Sequence, residues 1–318
     1  MNSRIGLLLG LLIVQIALVG VAFLGAGRDE GGEPFLDIDP ARITGLTISG
    51  GDDDAVVLAR SSDGWRLGEL PADGGKIADV IGKLTGGSAI WPVATSADSQ
   101  GRFEVTEDAH QRRIDFEGEA GPLATVYLGT SPGYRRIHAR RDGDDATYSI
   151  DFAVHELPTD ADEWLDKQLL ASEGVRRVEL PGGQVLAREA SDGGWILDGS
   201  AAQPEAAQRL VERIERLSVL GRYESVPGAA LGEAKTVLLE DDGGAHRLTF
   251  RFNEPADEYV LTTDRYPGEF TVASYVAEQI LVEPADLLPE PIAGDQAAEV
   301  AAEAPAPTAA ADSSPDGE

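Results

Sequence analysis

The sequence predicts an α+β protein in which an N-terminal transmembrane helix precedes two β-rich repeats. Three observations support this fold class. A long uncharged run opens the chain, short segments of alternating hydrophobicity are separated by Gly, Pro and Asp turns, and the same order of segments occurs twice. Each repeat is expected to contain a mainly antiparallel sheet and one main helix.

The predicted anchor begins at Ile5 and ends at Gly27, and this stretch has no charged side chain. At ~1.5 Å per residue it is long enough to cross a ~30 Å hydrocarbon layer. Arg4 precedes it, which favours a cytoplasmic tip and a translocated remainder. A cleaved signal peptide is the alternative, although its apolar region is normally shorter and Gly25 to Gly27 make a poor cleavage site. We therefore expect residues 1–27 to be a cytoplasmic tip and an uncleaved anchor.

A Gly- and acid-rich linker over residues 28–42 leads to the first predicted repeat, residues 43–172. Asp63-Gly64 is a hairpin signal in front of Trp65. Apolar residues at helical spacing predict a helix of about ten residues, from Ile77 to Leu84. The predicted strands of this repeat are Ile43 to Ile48, Val56 to Leu58, Trp65 to Leu67, Arg113 to Phe116, Ala124 to Leu128, Arg135 to Ala139 and Thr147 to Ile150.

The second predicted repeat, residues 173–289, has the same order of segments. Trp195 follows an Asp-Gly-Gly turn as Trp65 follows Asp63-Gly64, and Leu210, Val211, Ile214 and Leu217 predict the matching helix. Ser200 or a neighbouring polar residue is expected to cap that helix, with Pro204 in its first turn. The agreement of sequence, order and spacing indicates an internal duplication. The predicted strands are Val175 to Leu180, Val185 to Arg188, Trp195 to Leu197, Thr236 to Leu239, Arg247 to Phe252, Tyr259 to Thr263 and Phe270 to Val272.

Composition excludes several classes of function. The formal net charge is −30, from 26 Lys and Arg against 56 Asp and Glu, so binding to a phosphate backbone is not expected. The same charge disfavours a domain that lies flat on anionic lipid. The chain has no cysteine, which excludes disulfides, thiol nucleophiles and thiolate zinc sites. The Ala-, Pro- and acid-rich tail, residues 290–318, is expected to be disordered.

No segment carries a recognisable catalytic, cofactor or metal motif. The four histidines, His110, His138, His155 and His246, do not pair at zinc-binding spacing. Gly74-Gly75-Lys76 and Gly82-Lys83 do not complete a phosphate-binding loop. The clusters of carboxylates at residues 52–54, 142–145, 160–163 and 241–242 lie at predicted turns, where Asp is expected for backbone reasons. Trp65 and Trp195 are expected to be core residues rather than ligand-binding residues. We therefore expect no catalytic residue, cofactor or metal.

Several segments together resemble a known bacterial family. They are Asp63-Gly64-Trp65-Arg66-Leu67, the helix from Ile77 to Leu84, Tyr134-Arg135-Arg136-Ile137-His138-Ala139-Arg140, Thr147-Tyr148-Ser149-Ile150 and Glu163-Trp164-Leu165-Asp166-Lys167-Gln168-Leu169-Leu170. This combination resembles the membrane-anchored proteins called domain of unknown function 4340, over residues 1–288. The resemblance implies an association with export-type ABC transporters and gliding-motility-like components, and it implies no site residues.

We therefore expect a non-enzymatic accessory or scaffold protein of a membrane complex, such as an ABC-type transporter. Its partners would be integral-membrane proteins, including transporter subunits, and it would bind no nucleic acid. It would be a single-pass protein of the bacterial inner membrane with most of the chain in the periplasm. Two alternatives are an envelope module that binds a carbohydrate or lipid, and a hydrolase whose dispersed site has no motif.

Overall fold

A computed structural model describes residues 34–51, 55–86, 91–188, 193–225 and 230–289. Among these residues, no helix combines the length and the apolar character that a membrane span requires. The predicted anchor at residues 5–27, the first part of the predicted linker and the predicted tail at residues 290–318 lie outside the described residues.

The first sheet has nine strands and two helices on its connections. The strands are β1 (Gly45–Ser49), β2 (Ala55–Ser61), β3 (Gly64–Leu67), β4 (Leu70–Pro71), β5 (Pro92–Ala94), β6 (Arg112–Gly118), β7 (Gly121–Leu128), β8 (Ile137–Arg141) and β9 (Thr147–Ile150). The helices are α1 (Gly74–Thr85) and α2 (Gln100–Phe103). The order across the sheet is β4-β3-β2-β1-β6-β7-β8-β9-β5, and each neighbouring pair is antiparallel.

Helix α1 forms where the apolar spacing predicts a helix, and it buries Ile77, Val80, Ile81 and Leu84 against the sheet. The Asp73 carboxylate caps its first turn by accepting a 2.9 Å hydrogen bond from the backbone N–H of Lys76. Both edge strands of this sheet contain a proline, since Pro71 ends β4 and Pro92 begins β5.

The second sheet repeats this arrangement. Its strands are β10 (Arg177–Glu179), β11 (Val185–Ala187), β12 (Ile196–Leu197), β13 (Ser200–Ala201), β14 (Gly221–Arg222), β15 (Lys235–Asp241), β16 (Gly244–Asn253), β17 (Glu258–Thr263) and β18 (Glu269–Ala273). The helices are α3 (Pro204–Glu215) and α4 (Ser274–Glu278). The order is β13-β12-β11-β10-β15-β16-β17-β18-β14, again antiparallel throughout.

Strand for strand, the two orders are the same, and one twelve-residue helix occupies the same place in each. The prediction of an α+β fold with mainly antiparallel sheets is confirmed. The capping prediction for Ser200 was wrong, because Ser200 lies in β13. The residue before α3 is Gln203, whose side chain makes no capping hydrogen bond, and Pro204 begins the helix.

Short 3₁₀ turns complete the described fold, at Pro40–Arg42, Ala97–Ser99, Val154–Glu156, Ala161–Trp164, Glu254–Ala256 and Pro284–Leu287. Each sheet covers an apolar core, and Leu70 of β4 in the first sheet belongs to the core of the second. The boundary between the cores runs through consecutive residues, because Trp164 belongs to the first core whereas Leu165, Leu169 and Leu170 belong to the second.

Candidate functional site

The segment Trp164–Lys167 joins the two sheets. Trp164 is 0% exposed, and its indole N–H donates to the Pro158 carbonyl at 2.9 Å. The Trp164 carbonyl accepts from the backbone N–H of Asp73 at 2.8 Å, at the start of α1. The backbone N–H of Asp166 donates to the Pro71 carbonyl at 3.0 Å. These bonds attach the segment to the first sheet.

Lys167 attaches the same segment to the second sheet. Its ammonium donates to the Leu220 carbonyl at 2.5 Å and to the Asp162 carbonyl at 2.8 Å. Its own carbonyl accepts from the backbone N–H of Val219 at 2.8 Å. The Asp162 carboxylate adds a 2.5 Å ion pair with the Arg222 guanidinium of β14. The Trp-Leu-Asp-Lys sequence is therefore a structural junction.

The Tyr134–Arg140 segment begins in a turn and ends in β8. Arg140, in β8, is only 7% exposed. Its guanidinium lies 4.7 Å from the centre of the Tyr127 ring and donates to the Val105 carbonyl at 2.6 Å. His138 is buried between Phe103, whose ring centre is 4.4 Å away, and the Thr130 hydroxyl at 2.9 Å. Burial lowers the pKa of His138, so the neutral ring is favoured. Both side chains hold the chain around α2 against the sheet.

At the outer end of this segment, Tyr134 and Arg135 project into solvent. Tyr134 is 90% exposed. Arg135 has a φ of 53°, a left-handed conformation that is costly for a side chain other than glycine. The Ser131 hydroxyl holds this turn through hydrogen bonds to the carbonyls of Gly133 at 2.8 Å and Arg136 at 2.6 Å.

Trp91 lies at the β5 edge of the first sheet, separated from β8 and its preceding turn by strand β9. It is 80% exposed and immediately precedes β5. Since Pro92 pairs with Tyr148, the register places Trp91 opposite Ser149, with both side chains on one face. The Arg136 guanidinium reaches Ser149 from the other side, with 3.1 Å to the hydroxyl and 2.6 Å to the carbonyl. We call Trp91, Tyr134, Arg135 and Arg136 the exposed rim.

The four histidines lie in separate places. The Nδ1 atom of His110 is 3.1 Å from the Thr106 carbonyl, and His155 lies in the 3₁₀ turn Val154–Glu156. The Nε2 atom of His246 is 3.0 Å from the Asp241 carboxylate. Over the described ranges, no group of three or more His, Asp or Glu side chains is arranged to hold a metal ion.

Asp241 is the most deeply buried carboxylate with an ionic partner in the described part of the chain, at 1% exposure. The Arg265 guanidinium lies 3.3 Å from its Oδ2 atom. Burial by itself would raise the pKa of Asp241. Hydrogen bonds from the Ser172 side chain and the Gly243 backbone N–H, with the charges of His246 and Arg265, outweigh burial and lower it.

The other predicted turn carboxylates also have structural partners. Asp144 forms a 2.7 Å ion pair with Arg141 and accepts from the backbone N–H of Ala146 at 2.9 Å. Asp160 accepts from the backbone N–H of Asp162 at 2.9 Å. Residues 52–54 lie outside the described residues.

The remaining candidates from the sequence are helix and core residues. Gly74-Gly75-Lys76 is the first turn of α1, and Lys83 on the same helix forms an ion pair with Glu156. Trp195 is 7% exposed in the second core, and Trp65 packs half-buried against the first. Their positions agree with a core role.

Comparison with known proteins decides the family. The family profile described as "Domain of unknown function (DUF4340)" matches residues 65–230, more than half of the chain. The chain belongs to this family. The residues matched by the DUF4340 profile include the exposed rim and the Trp164–Lys167 junction. The match ends before Asp241.

One relative of this DUF4340 protein is a Mycolicibacterium smegmatis protein whose name is "Putative O-methyltransferase/". It is 29% identical over 179 residues, which are 52% of this chain and 84% of the relative. No solved structure matches.

Sequence reasoning missed the exposed rim of this DUF4340 protein. Trp91 precedes a proline in a Gly- and Ser-rich stretch, and Tyr134 follows Ser131-Pro132-Gly133. A large aromatic residue directly beside Gly, Ser and Pro turn residues is the signal that could have identified both.

Proposed function

We propose that this DUF4340 protein is a non-enzymatic accessory or scaffold subunit of a membrane complex in the bacterial envelope, with an ABC-type transporter as the expected complex. An N-terminal helix would hold it in the inner membrane with the two sheets outside. The observation that carries the proposal is the junction at Trp164–Lys167, which bonds two sheets of the same topology to each other. A rigid pair of sheets offers a large surface for partners at a fixed position near the membrane.

The contacts of the polar side chains support a structural and binding role. His138 and Arg140 hold α2 in place, Asp162 and Lys167 join the sheets, and the buried Asp241 pairs with the partly exposed Arg265. A catalytic site needs an acid, base or nucleophile directed at a common point. In the parts of the chain that the structure describes, these groups are directed at one another and at backbone carbonyls.

Purification from gently solubilised membranes tests the proposal. The native protein is expected to copurify with integral-membrane proteins, including transporter subunits. A chimera in which an unrelated transmembrane helix replaces residues 1–27 should recover the same partners, because recognition resides in the folded part. If the native protein purifies alone, even after crosslinking in cells, the scaffold function is contradicted.

The proposed topology has its own test. Protease added to intact spheroplasts is expected to digest the two sheets, since they would lie outside the inner membrane. Protection of the chain beyond Asp29 would contradict an external location. A mature protein that begins near Arg28 would show that the N-terminal segment is a cleaved signal peptide.

A second candidate is an envelope module that binds a carbohydrate or lipid. The exposed rings of Trp91 and Tyr134 favour it, because flat aromatic faces bind sugar rings and lipid headgroups. A ligand-dependent rise in melting temperature, absent from Trp91→Phe and Tyr134→Ser variants, would support this function over the scaffold.

A further inference from the structure

The exposed rim differs in chemistry from the rest of the molecule. The chain has a formal net charge of −30, yet the rim combines two adjacent arginines with two aromatic rings that are 80% and 90% exposed. Tryptophan and tyrosine are enriched where proteins meet the headgroup layer of a membrane, because each has an apolar ring and a polar group. Arginine binds phosphate oxygens through paired N–H groups.

The Trp91 end of the rim lies at the edge of the first sheet where the described chain begins. The backbone N–H of Leu36 donates to the Leu84 carbonyl at 3.1 Å, at the end of α1 and seven residues before Trp91. The Phe35 ring packs on the Tyr148 ring with 5.7 Å between their centres. Tyr148 is the cross-strand partner of Pro92. Phe35 and Trp91 therefore lie at the same edge of the first sheet, Phe35 on the face that covers the core and Trp91 on the opposite face.

The length of the linker limits how far this edge can lie from a membrane. Gly27 is the last residue of the uncharged run and Pro34 is the first described residue. Seven residues span at most ~25 Å when fully extended, at ~3.3–3.6 Å per residue. If residues 5–27 cross the membrane, the β5 edge of the first sheet lies near the headgroups on the outer side.

We propose that the exposed rim docks on the headgroup layer of the membrane that anchors the chain. This inference rests on the membrane anchor of the proposed function. Trp91 and Tyr134 lie among the headgroups and upper acyl chains, and Arg135 and Arg136 contact lipid phosphates. The occupant of the rim is the lipid surface itself.

The net charge of the chain does not prevent this contact. Charges farther than about 8 Å are largely screened at physiological ionic strength, so the side chains within the rim dominate. The nearest exposed carboxylate along β9 is Asp151, directly after Ile150. It offsets one of the two arginines. Burial of the two aromatic rings therefore supplies most of the attraction, and the remaining positive charge favours anionic lipid.

The tryptophans provide a direct readout. Of the four, Trp164 and Trp195 are buried, Trp65 is half-buried, and Trp91 is 80% exposed. We would reconstitute the full-length protein in nanodiscs that contain phosphatidylglycerol and acyl-brominated phosphatidylcholine, with no other protein. Brominated lipid is expected to quench part of the fluorescence and to protect that part from iodide. The Trp91→Phe variant should lose both effects.

Matched variants separate the rim from general membrane proximity. Tyr134→Ser and Arg135→Asn should each reduce quenching of Trp91 by lipid, and asparagine tolerates the left-handed conformation at position 135. Tyr275→Ser is the control, because Tyr275 is 68% exposed but lies on α4 of the second sheet. It should leave the quenching unchanged.

Three results would overturn the proposal. In the first, the protein stays with the nanodiscs but Trp91 is as open to iodide as in detergent, which refutes lipid docking and leaves the anchor intact. In the second, Trp91 becomes protected only when a membrane-protein partner is added, which assigns the rim to protein recognition. In the third, the protein does not stay with the nanodiscs, which refutes the anchor and the docking together.

Discussion

The two sheets place different chemistry at the same position of the same topology. In the first sheet, Tyr127 on β7 lies between its cross-strand partners Arg113 and Arg140. In the second sheet, Thr249 on β16 lies between Thr236 and Thr262. The two arginines lie 5.8 Å and 4.7 Å from the Tyr127 ring, whereas Thr236 and Thr249 share a 3.2 Å hydrogen bond.

At the turn of the same hairpin, β6–β7 in the first sheet and β15–β16 in the second, the second sheet has the charged residues. Asp241 ends β15 and forms the buried ionic cluster with His246 and Arg265. Gly118 ends the matching strand β6, and a Cβ atom there would lie 3.0 Å from the Arg42 carbonyl. A surface cavity of about 310 Å³ lies beside Gly118.

This comparison shows which features the topology requires. Both sheets keep apolar residues on the face that covers the core, because core burial stabilises the fold. On the opposite face and at the turns, the two sheets carry different polar side chains. Chemistry that is specific to one sheet, such as the rim, therefore points to function more strongly than features common to both.

The equivalent hairpin tryptophans give the largest expected difference. Trp195→Ala should reduce the free energy of unfolding by about 3–5 kcal/mol, because Trp195 is almost fully buried. Trp65→Ala should have a clearly smaller effect, because Trp65 is only half-buried. Urea denaturation of both variants measures this, and equal losses would mean that the two hairpins pack alike.

The Asp241 cluster is the next comparison. Asp241→Ala should destabilise the protein by about 3–5 kcal/mol, because it leaves the charge of Arg265 without its buried partner. The neighbouring Asp242 is the control, since its side chain is 67% exposed and pairs with Arg176 at 3.5 Å. Asp242→Ala should change stability by less than about 1 kcal/mol. A small effect for both would contradict an essential cluster in the second sheet.

Arg140 tests the corresponding polar contact of the first sheet. Arg140→Met should reduce stability by about 1–3 kcal/mol, because the Val105 carbonyl loses its 2.6 Å donor. Thr262→Val at the matching position of the second sheet should stay within about 0.5 kcal/mol. Chemical denaturation gives both values. Faster proteolysis around α2 in the Arg140→Met protein would show directly that Arg140 holds this segment.

Acid stability gives the smallest expected difference. The pKa of Asp241 in the folded protein is below its ordinary value. The Asp241 carboxylate therefore contributes stability above the unfolded pKa of about 3.9, and this contribution is lost as the pH falls through the folded pKa. The Asp241→Asn variant should therefore lose less stability than the wild type between pH 5 and pH 2. Asp144→Asn in the first sheet should flatten the profile less, because the lowered pKa of Asp144 belongs to a more exposed side chain, at 27%. Melting temperatures across this pH range would show whether the two profiles differ.

The sequence predicts the longer elements well. Helix α1 contains the four apolar residues that predict it, and Thr147–Ile150 forms a strand with the expected bounds. A periodic pattern of apolar residues over several positions is visible in the local sequence, so it predicts a helix or strand without knowledge of distant contacts. The two-residue strands β4, β13 and β14 were missed, because two residues are too few to leave a periodic pattern. The pairing of β14 also depends on a distant partner, since Gly221 pairs with Thr271.

The site was far less predictable than the fold. The sequence assigned the histidines and Asp clusters no catalytic or metal role. Only the structure shows that Arg140 binds the Val105 carbonyl and that Asp162 reaches Arg222 across the junction. Such contacts join residues 35 and 60 positions apart. The exposure of Trp91 and Tyr134 likewise depends on register and turn geometry, which composition does not specify.

The prolines at both edges of the first sheet have a consequence for self-association. Pro71 and Pro92 lack the backbone N–H that an incoming strand would need, and the edge strands β13 and β14 of the second sheet have only two residues each. Exposed edges of two wide sheets would otherwise be templates for edge-to-edge association between copies of the chain. These edges therefore offer few free backbone N–H groups to a strand of a second copy, which disfavours growth of either sheet from one molecule to the next.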